Sequence, residues 1–194
     1  MRIGIFGGSF NPPHNMHEEI AQTLLDQNVV DTIIFVPTGM KYEYKNNLIE
    51  NDYRLDMLRI IETHNPNFQV SDYECKDEPV YTYQTLDYFQ ELYPNDEIYF
   101  ICGSDNLSYI DKWKNAEYLM THHKFIVIDR NTNSLKPLLE KYQDFKNHII
   151  VANITPKEIS STEIRERIKE GKPCNNLIPD DVLDYIEANG LYLE

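Results

Sequence analysis

The chain has 194 residues, 41% of them hydrophobic and 26% charged, which suits a packed α/β domain and excludes a disordered polypeptide. Its 18 Lys and Arg stand against 32 Asp and Glu, for a net charge of −14. A surface this acidic repels nucleic acid phosphates and anionic membranes, so any anionic small substrate must be met by locally concentrated cations.

The first apolar run, residues 3–6, reads as a strand and opens into a glycine- and proline-rich loop. Met16, Ile20 and Leu24 then fall at i, i+4, i+8, the spacing of one helix face. Residues 32–36 form the second strand, and Leu55, Leu58 and Ile61 line a second helix. Residues 68–70 form the third strand. Thr82 is placed to cap a helix carrying Leu86 and Phe89, which stops near Pro94. Three further strands follow at 98–101, 125–128 and 149–151. Ile159, Ile164 and Ile168 then predict a helix ending at Gly171, and Val182, Leu183 and Ile186 predict another ending at Gly190. Most strand runs are continuous rather than alternating, as expected of strands covered on both faces. Strands alternating with helices imply a parallel sheet with right-handed crossovers. Cys75, Cys102 and Cys174 are widely spaced without a CxxC pair, which argues against a disulfide framework or thiolate zinc site and for a reducing, cytoplasmic setting. No apolar run approaches the ~20 residues of a membrane span, and residues 1–6 are too short and glycine-interrupted for a signal peptide.

The loop Gly7-Gly8-Ser9-Phe10-Asn11-Pro12-Pro13-His14-Asn15-Met16-His17 holds most of the chemistry. It follows the first strand, and ligands of open α/β sheets bind beyond the carboxyl ends of strands. Gly7 and Gly8 allow backbone N–H groups to approach an anion, and the following helix points its positive end at the same place. His14 and His17, three apart, can turn both rings toward one phosphate. Neither GxGxxG nor GxxxxGK[ST] is present. A zinc site on His-x-x-His lacks a third ligand at familiar spacing. Far downstream, Ser160-Ser161-Thr162-Glu163-Ile164-Arg165 reads as a helix start, with Ser160 and Glu163 at capping-box spacing. An ordinary cap accounts for it. So does a phosphate pocket of hydroxyls, N–H groups and Arg165.

With GGSFNPPHxxH near one end and ISSTEIR near the other, the sequence resembles the nucleotidyltransferase superfamily with HxGH and ISSTxIR motifs, and within it bacterial nicotinate-mononucleotide adenylyltransferase. Tyr81-Thr82-Tyr83-Gln84-Thr85, Ile101-Cys102-Gly103-Ser104-Asp105, Lys112-Trp113 and the ending Gly190-Leu191-Tyr192 extend the likeness over nearly the whole chain. The resemblance implies a Rossmann-like doubly wound parallel sheet with helices on both faces, as one domain over 1–194 with a small C-terminal helical segment at about 159–194. It also implies transfer of AMP from ATP to nicotinate mononucleotide, with Mg²⁺ accompanying ATP. His14, His17 and Arg165 take the catalytic positions. Gly7, Gly8, Ser9, Phe10, Gly103, Asp105, Ser161 and Thr162 join Arg165 around ATP. Lys41, Lys45, Thr82, Thr85 and Trp113 fall where the family holds its acceptor, Trp113 against the pyridine ring. No nucleic acid or membrane partner is expected, and a homo-oligomer is compatible with the sequence.

Two departures stand out. Met16 occupies the place of the family glycine after the first motif histidine, and either narrows the ATP approach or packs into the core with Ile20 and Leu24. The family's PPHK-like stretch is replaced by residues 37–45, where Glu43 and two tyrosines join Lys41 and Lys45; Arg130 is followed by Asn131-Thr132 instead of Pro-Gly. Competing readings are a different phosphorylated acceptor, such as nicotinamide mononucleotide, a catalytically silent nucleotide-binding regulator, and a metal-dependent hydrolase built on His14 and His17.

Overall fold

The structure is a computed structural model that describes residues 1–40, 48–129, 135–155 and 157–194. Six strands form one sheet: β1 (Arg2–Gly8), β2 (Thr32–Pro37), β3 (Phe68–Val70), β4 (Glu97–Gly103), β5 (Lys124–Ile128) and β6 (Ile149–Ala152). Every pairing is parallel and the strand order is β3-β2-β1-β4-β5-β6. All six match the apolar runs of the sequence. The helices are α1 (Asn15–Asp26), α2 (Asn51–Glu62), α3 (Thr82–Leu92), α4 (Ser104–Ser108), α5 (Ala116–His122), α6 (Leu135–Lys141), α7 (Ser161–Lys169) and α8 (Asp180–Ala188).

Side chains alternate across the strands and split the core in two. Phe6, Ile33, Phe35, Tyr99, Ile101, Ile126 and Ile128 face one layer with Met16, Ile20 and Leu24 of α1, Leu58 and Ile61 of α2, Ile164 of α7 and Val182 and Ile186 of α8. Ile3, Ile5, Ile34, Val36, Ile98, Phe100, Phe125 and Val127 face the other, with Leu86 and Phe89 of α3, Leu107 of α4 and Leu119 of α5. The strands are therefore covered on both sides, which explains their unbroken apolar runs. After β3 the chain returns to pair β4 beside β1. The direction of winding reverses there, opening a crevice at the carboxyl ends of β1 and β4.

The C-terminal helices share the first of these cores, together with Cys174, Ile178 and Leu191. Met16 is also in this core, and its sulfur accepts the Lys157 N–H at 3.0 Å. Of its two expected placements the structure has the inward one.

Three local expectations are corrected. Tyr81, not Thr82, is the N-cap of α3, because the Gln84 side chain accepts the Tyr81 N–H and starts the helix one residue earlier than a hydroxyl cap would. Ile159 lies outside α7, which starts after its N-cap Ser160. The Ser160–Glu163 capping box is only half made. Ser160 Oγ accepts the Glu163 N–H, but the Glu163 carboxylate turns forward to Arg167 at 2.9 Å.

Candidate active site

The loop after β1 is held open by bonds to its carbonyl oxygens. The Thr38 N–H and hydroxyl both donate to the Gly8 carbonyl, at 2.8 and 3.2 Å. Arg54 Nη1 donates to the Ser9 carbonyl at 2.9 Å. Arg165 Nη1 donates to the Asn11 carbonyl at 2.8 Å, and Ser161 Oγ donates to the Pro12 carbonyl at 2.8 Å. Asn11 Oδ1 accepts the Tyr192 hydroxyl at 2.9 Å and the Ile49 N–H at 3.4 Å. The start of α7 and the last residues of the chain thus clamp a loop near the other end of the sequence. Phe10 sits in the left-handed region at φ 46°, an uncommon conformation for a large side chain, and its buried ring lies edge-on to His17 at 4.9 Å. A Cβ at Gly8 would lie 3.1 Å from that ring, so the ring would have to give by a few tenths of an ångström to admit a side chain there.

Above this loop lies a cleft of about 470 Å³. The sequence-predicted Gly7, Gly8, Ser9, Phe10, His17, Gly103, Ser161, Thr162 and Arg165 all line it. His14 stands behind, buried as the N-cap of α1, with its ring stacked on His17 at 3.7 Å. The His14 N–H donates to His17 Nδ1 at 3.1 Å. That bond fixes the tautomer: a neutral His17 accepting at Nδ1 carries its proton on Nε2. Asp105 is exposed in the first turn of α4 and is not among the residues lining the cleft; its neighbour Asn106 is.

A second cleft, of about 1000 Å³, opens on the other side of β1. Thr82 and Trp113 line it, with Trp113 edge-on to Phe100 at 6.0 Å. Thr85 is buried behind the wall and donates to Glu74 Oε1, itself a lining residue, at 2.7 Å. Lys112 and Lys114 bring positive charge to this wall, a local exception to the acidic surface. Lys41, Lys45, Glu43 and Arg130 lie outside the described residues. The two clefts share Gly7, Gly8 and Asn106, so they meet over the end of β1.

Sequence reasoning assigned no role to Asn106, Asn11, Arg54, Tyr192, Thr38 or Glu74. Asn11 lay inside the quoted loop, and Tyr192 inside the terminal Gly-Leu-Tyr. Arg54 neighbours Leu55 on a helix of otherwise ordinary amphipathic pattern, where an arginine reads as a solvated charge. It is fully buried. Among the described residues, no group of three His, Cys, Asp or Glu side chains that could hold a metal is formed. No helix among them is long and apolar enough to cross a membrane.

A parallel doubly wound sheet with two clefts meeting at its switch point, one lined by glycines, hydroxyls, a histidine and an arginine, defines a nucleotidyltransferase-type α/β protein. The chain belongs to the cytidylyltransferase-like family, whose sequence model matches residues 5–167, and within it to the nicotinate-nucleotide adenylyltransferases. It is 38% identical over 194 residues to the probable nicotinate-nucleotide adenylyltransferase of Clostridium tetani, covering 97% of each chain. It is 37% identical to the nicotinate-nucleotide adenylyltransferase of Bacillus subtilis, covering 98% of each. Among solved structures it is similar to Plasmodium falciparum nicotinic acid mononucleotide adenylyltransferase complexed with NaAD. That match has a TM-score of 0.84 at 28% identity, covering 98% of this chain and 97% of that one.

Proposed function

We propose that this protein transfers the adenylyl group of ATP to the phosphate of nicotinate mononucleotide, forming deamido-NAD and pyrophosphate, a step of NAD biosynthesis. The observation that carries the reading is the junction of the two clefts over Gly7, Gly8 and Asn106. ATP occupies the cleft of His17 and Arg165, the mononucleotide occupies the cleft of Thr82 and Trp113, and their reacting groups meet at the end of β1. The names of the relatives, and a structural neighbour complexed with NaAD, support the choice of substrates.

The chemistry needs no covalent intermediate. A phosphate oxygen of the mononucleotide attacks the α-phosphorus of ATP in line, the bond to the bridging oxygen breaks, and pyrophosphate leaves. Catalysis is then positioning and charge stabilisation. His17 Nε2–H donates to the reacting phosphate, and His14 orients that ring from behind. Ser161, Thr162 and Arg165 hold the β- and γ-phosphates, assisted by N–H groups of residues 8–10. Gly103 and Asn106 lie where the ribose passes, and Asp105 contributes from the rim. Thr82 and Trp113 hold the nicotinate end, Thr85 acts from behind the wall by fixing Glu74, and Lys41 and Lys45 hold the mononucleotide phosphate. Among the described residues that line the ATP cleft there is no carboxylate; Mg²⁺ accompanying ATP would be held largely by the substrate itself and would neutralise charge on the departing pyrophosphate.

The deciding experiment is a pyrophosphate-release assay with ATP, Mg²⁺ and a panel of phosphorylated acceptors. The proposal expects release with nicotinate mononucleotide above every other acceptor. ATP binding without release on any acceptor would instead establish a silent nucleotide-binding regulator.

A further inference from the structure

We propose that Arg54 is a positioning residue for the triphosphate, fixing the Ser9–Phe10 peptide so that its N–H faces the ATP cleft. The inference rests on the assignment of that cleft to ATP. Arg54 opens no surface to solvent and lines neither cleft. Its guanidinium lies behind the loop and makes three bonds: Nη1 to the Ser9 carbonyl at 2.9 Å, Nε to the Ile49 carbonyl at 3.1 Å and Nη2 to Asn51 Oδ1 at 2.6 Å.

The C=O and N–H of a trans peptide point in opposite directions. Drawing the Ser9 carbonyl back onto Arg54 therefore sends the Phe10 N–H forward, on the side where Ser9 and Phe10 line the cleft. The same grip explains how Phe10 is kept at φ 46°, since that conformation persists only where its surroundings over-determine it. Ile49 links the support back to the loop, because its N–H donates to Asn11 Oδ1.

The charge of Arg54 has a second consequence. Its three acceptors are all neutral oxygens. Burial opposes its ionisation, and among the described residues its ionisable neighbours Cys75 and Tyr192 stay neutral: burial pushes the Cys75 thiol up to about 11 and raises Tyr192 as well. Burying a cation without a carboxylate is costly, and retaining one behind a phosphate loop adds attraction for an anion bound in front.

The test compares wild type with Arg54→Met, which keeps much of the side-chain volume, and with Arg54→Lys, which keeps the charge but not the fork of donors. ATP with Mg²⁺ is titrated calorimetrically in the absence of acceptor, and KM is measured for both substrates. In Arg54→Met the Kd for ATP should rise about tenfold while the acceptor KM stays within about twofold, with Arg54→Lys intermediate. A folded Arg54→Met with wild-type ATP affinity would overturn the proposal, as would equal losses for both substrates. Where Arg54→Met does not fold, Arg54→Lys decides by the same split, with wild-type ATP affinity as the adverse result. The titration needs no acceptor, so a wild type that binds ATP but releases no pyrophosphate defeats the functional reading and leaves the role of Arg54 measurable. A wild type that does not bind ATP overturns both.

Discussion

The backbone N–H of His14 donates to Nδ1 of His17 at 3.1 Å, while the two rings stack at 3.7 Å. The pair is thus asymmetric: His14 sets the orientation of His17, and of the two only His17 lines the cleft proposed for ATP. His17→Ala should lower kcat about 10²-fold, the usual cost of losing one donor to a charge-developing transition state, with a smaller change in ATP affinity. Steady-state turnover with calorimetric ATP binding checks this. Near-normal turnover in the folded variant would remove the histidine from the mechanism.

Arg165 divides its donors between the loop and the cleft. Nη1 is committed to the Asn11 carbonyl and Nη2 approaches Thr162 Oγ1 at 3.3 Å. A single ammonium cannot brace the loop and reach a phosphate at once. Arg165→Ala should therefore raise the KM for ATP more than the KM for the acceptor, and Arg165→Lys should recover little of the loss. An unchanged ATP KM in Arg165→Ala would reduce it to a structural clamp.

Tyr192 reaches the loop after β1 from the third-last position of the chain, and its partly buried hydroxyl donates to Asn11 Oδ1. Tyr192→Phe keeps the ring and removes the shorter of the two described bonds to that oxygen, the other being the Ile49 N–H at 3.4 Å. The expected cost is about 1 kcal/mol, a fall in Tm of about 2–4 °C for a chain of this size. Differential scanning calorimetry of the two proteins measures it, and an identical Tm would show that water replaces the hydroxyl without loss.

These three sites also mark where the sequence is legible and where it is not. Every strand of the sheet was visible because both-face burial demands unbroken apolar runs, as in residues 32–36 and 125–128. That His17, Ser161 and Arg165 come together at one cleft could be anticipated because phosphate chemistry favours such residue types at helix starts. Arg54, Asn11 and Tyr192 were not visible, because their roles arise from contacts across 45, 154 and 181 positions that no local pattern encodes. The short helices α4, α5 and α6 were missed for a related reason: five to seven residues give too few turns to display a helical period.

Away from the clefts, His64 joins three helical segments, with Nδ1 2.8 Å from Glu18 and Nε2 2.8 Å from Asp181. Partial burial opposes its ionisation, but the hydrogen bonds to Asp181 and Glu18 outweigh it and hold the imidazole above its ordinary range. A folded value raised above the unfolded one means that the stabilisation is complete below the unfolded value of about 6.5 and is lost as pH rises through the folded value. His64→Gln should lower Tm clearly at about pH 5.5 and much less at about pH 9. A gap between the two proteins that widens toward high pH would reverse the assignment.

The acceptor cleft should favour nicotinate over nicotinamide mononucleotide. Thr82 stands at the first position of α3, whose positive end favours the extra carboxylate of nicotinate over a neutral amide, and Lys112 and Lys114 add to that preference. Trp113 can stack on either ring and does not discriminate. Glu74 works the other way. Its carboxylate, held by Thr85, lines the same wall and repels a negative substituent that comes close. Among the described residues, the helix end and two lysines against one carboxylate leave the balance with the acid, by about tenfold in kcat/KM. Glu74→Gln removes the opposing charge and should widen that ratio, while Lys112→Met should narrow it. The measurement is kcat/KM for both acceptors at one fixed ATP concentration. A wild-type ratio favouring the amide would defeat the prediction, and its reversal in Glu74→Gln would locate the cause in that carboxylate.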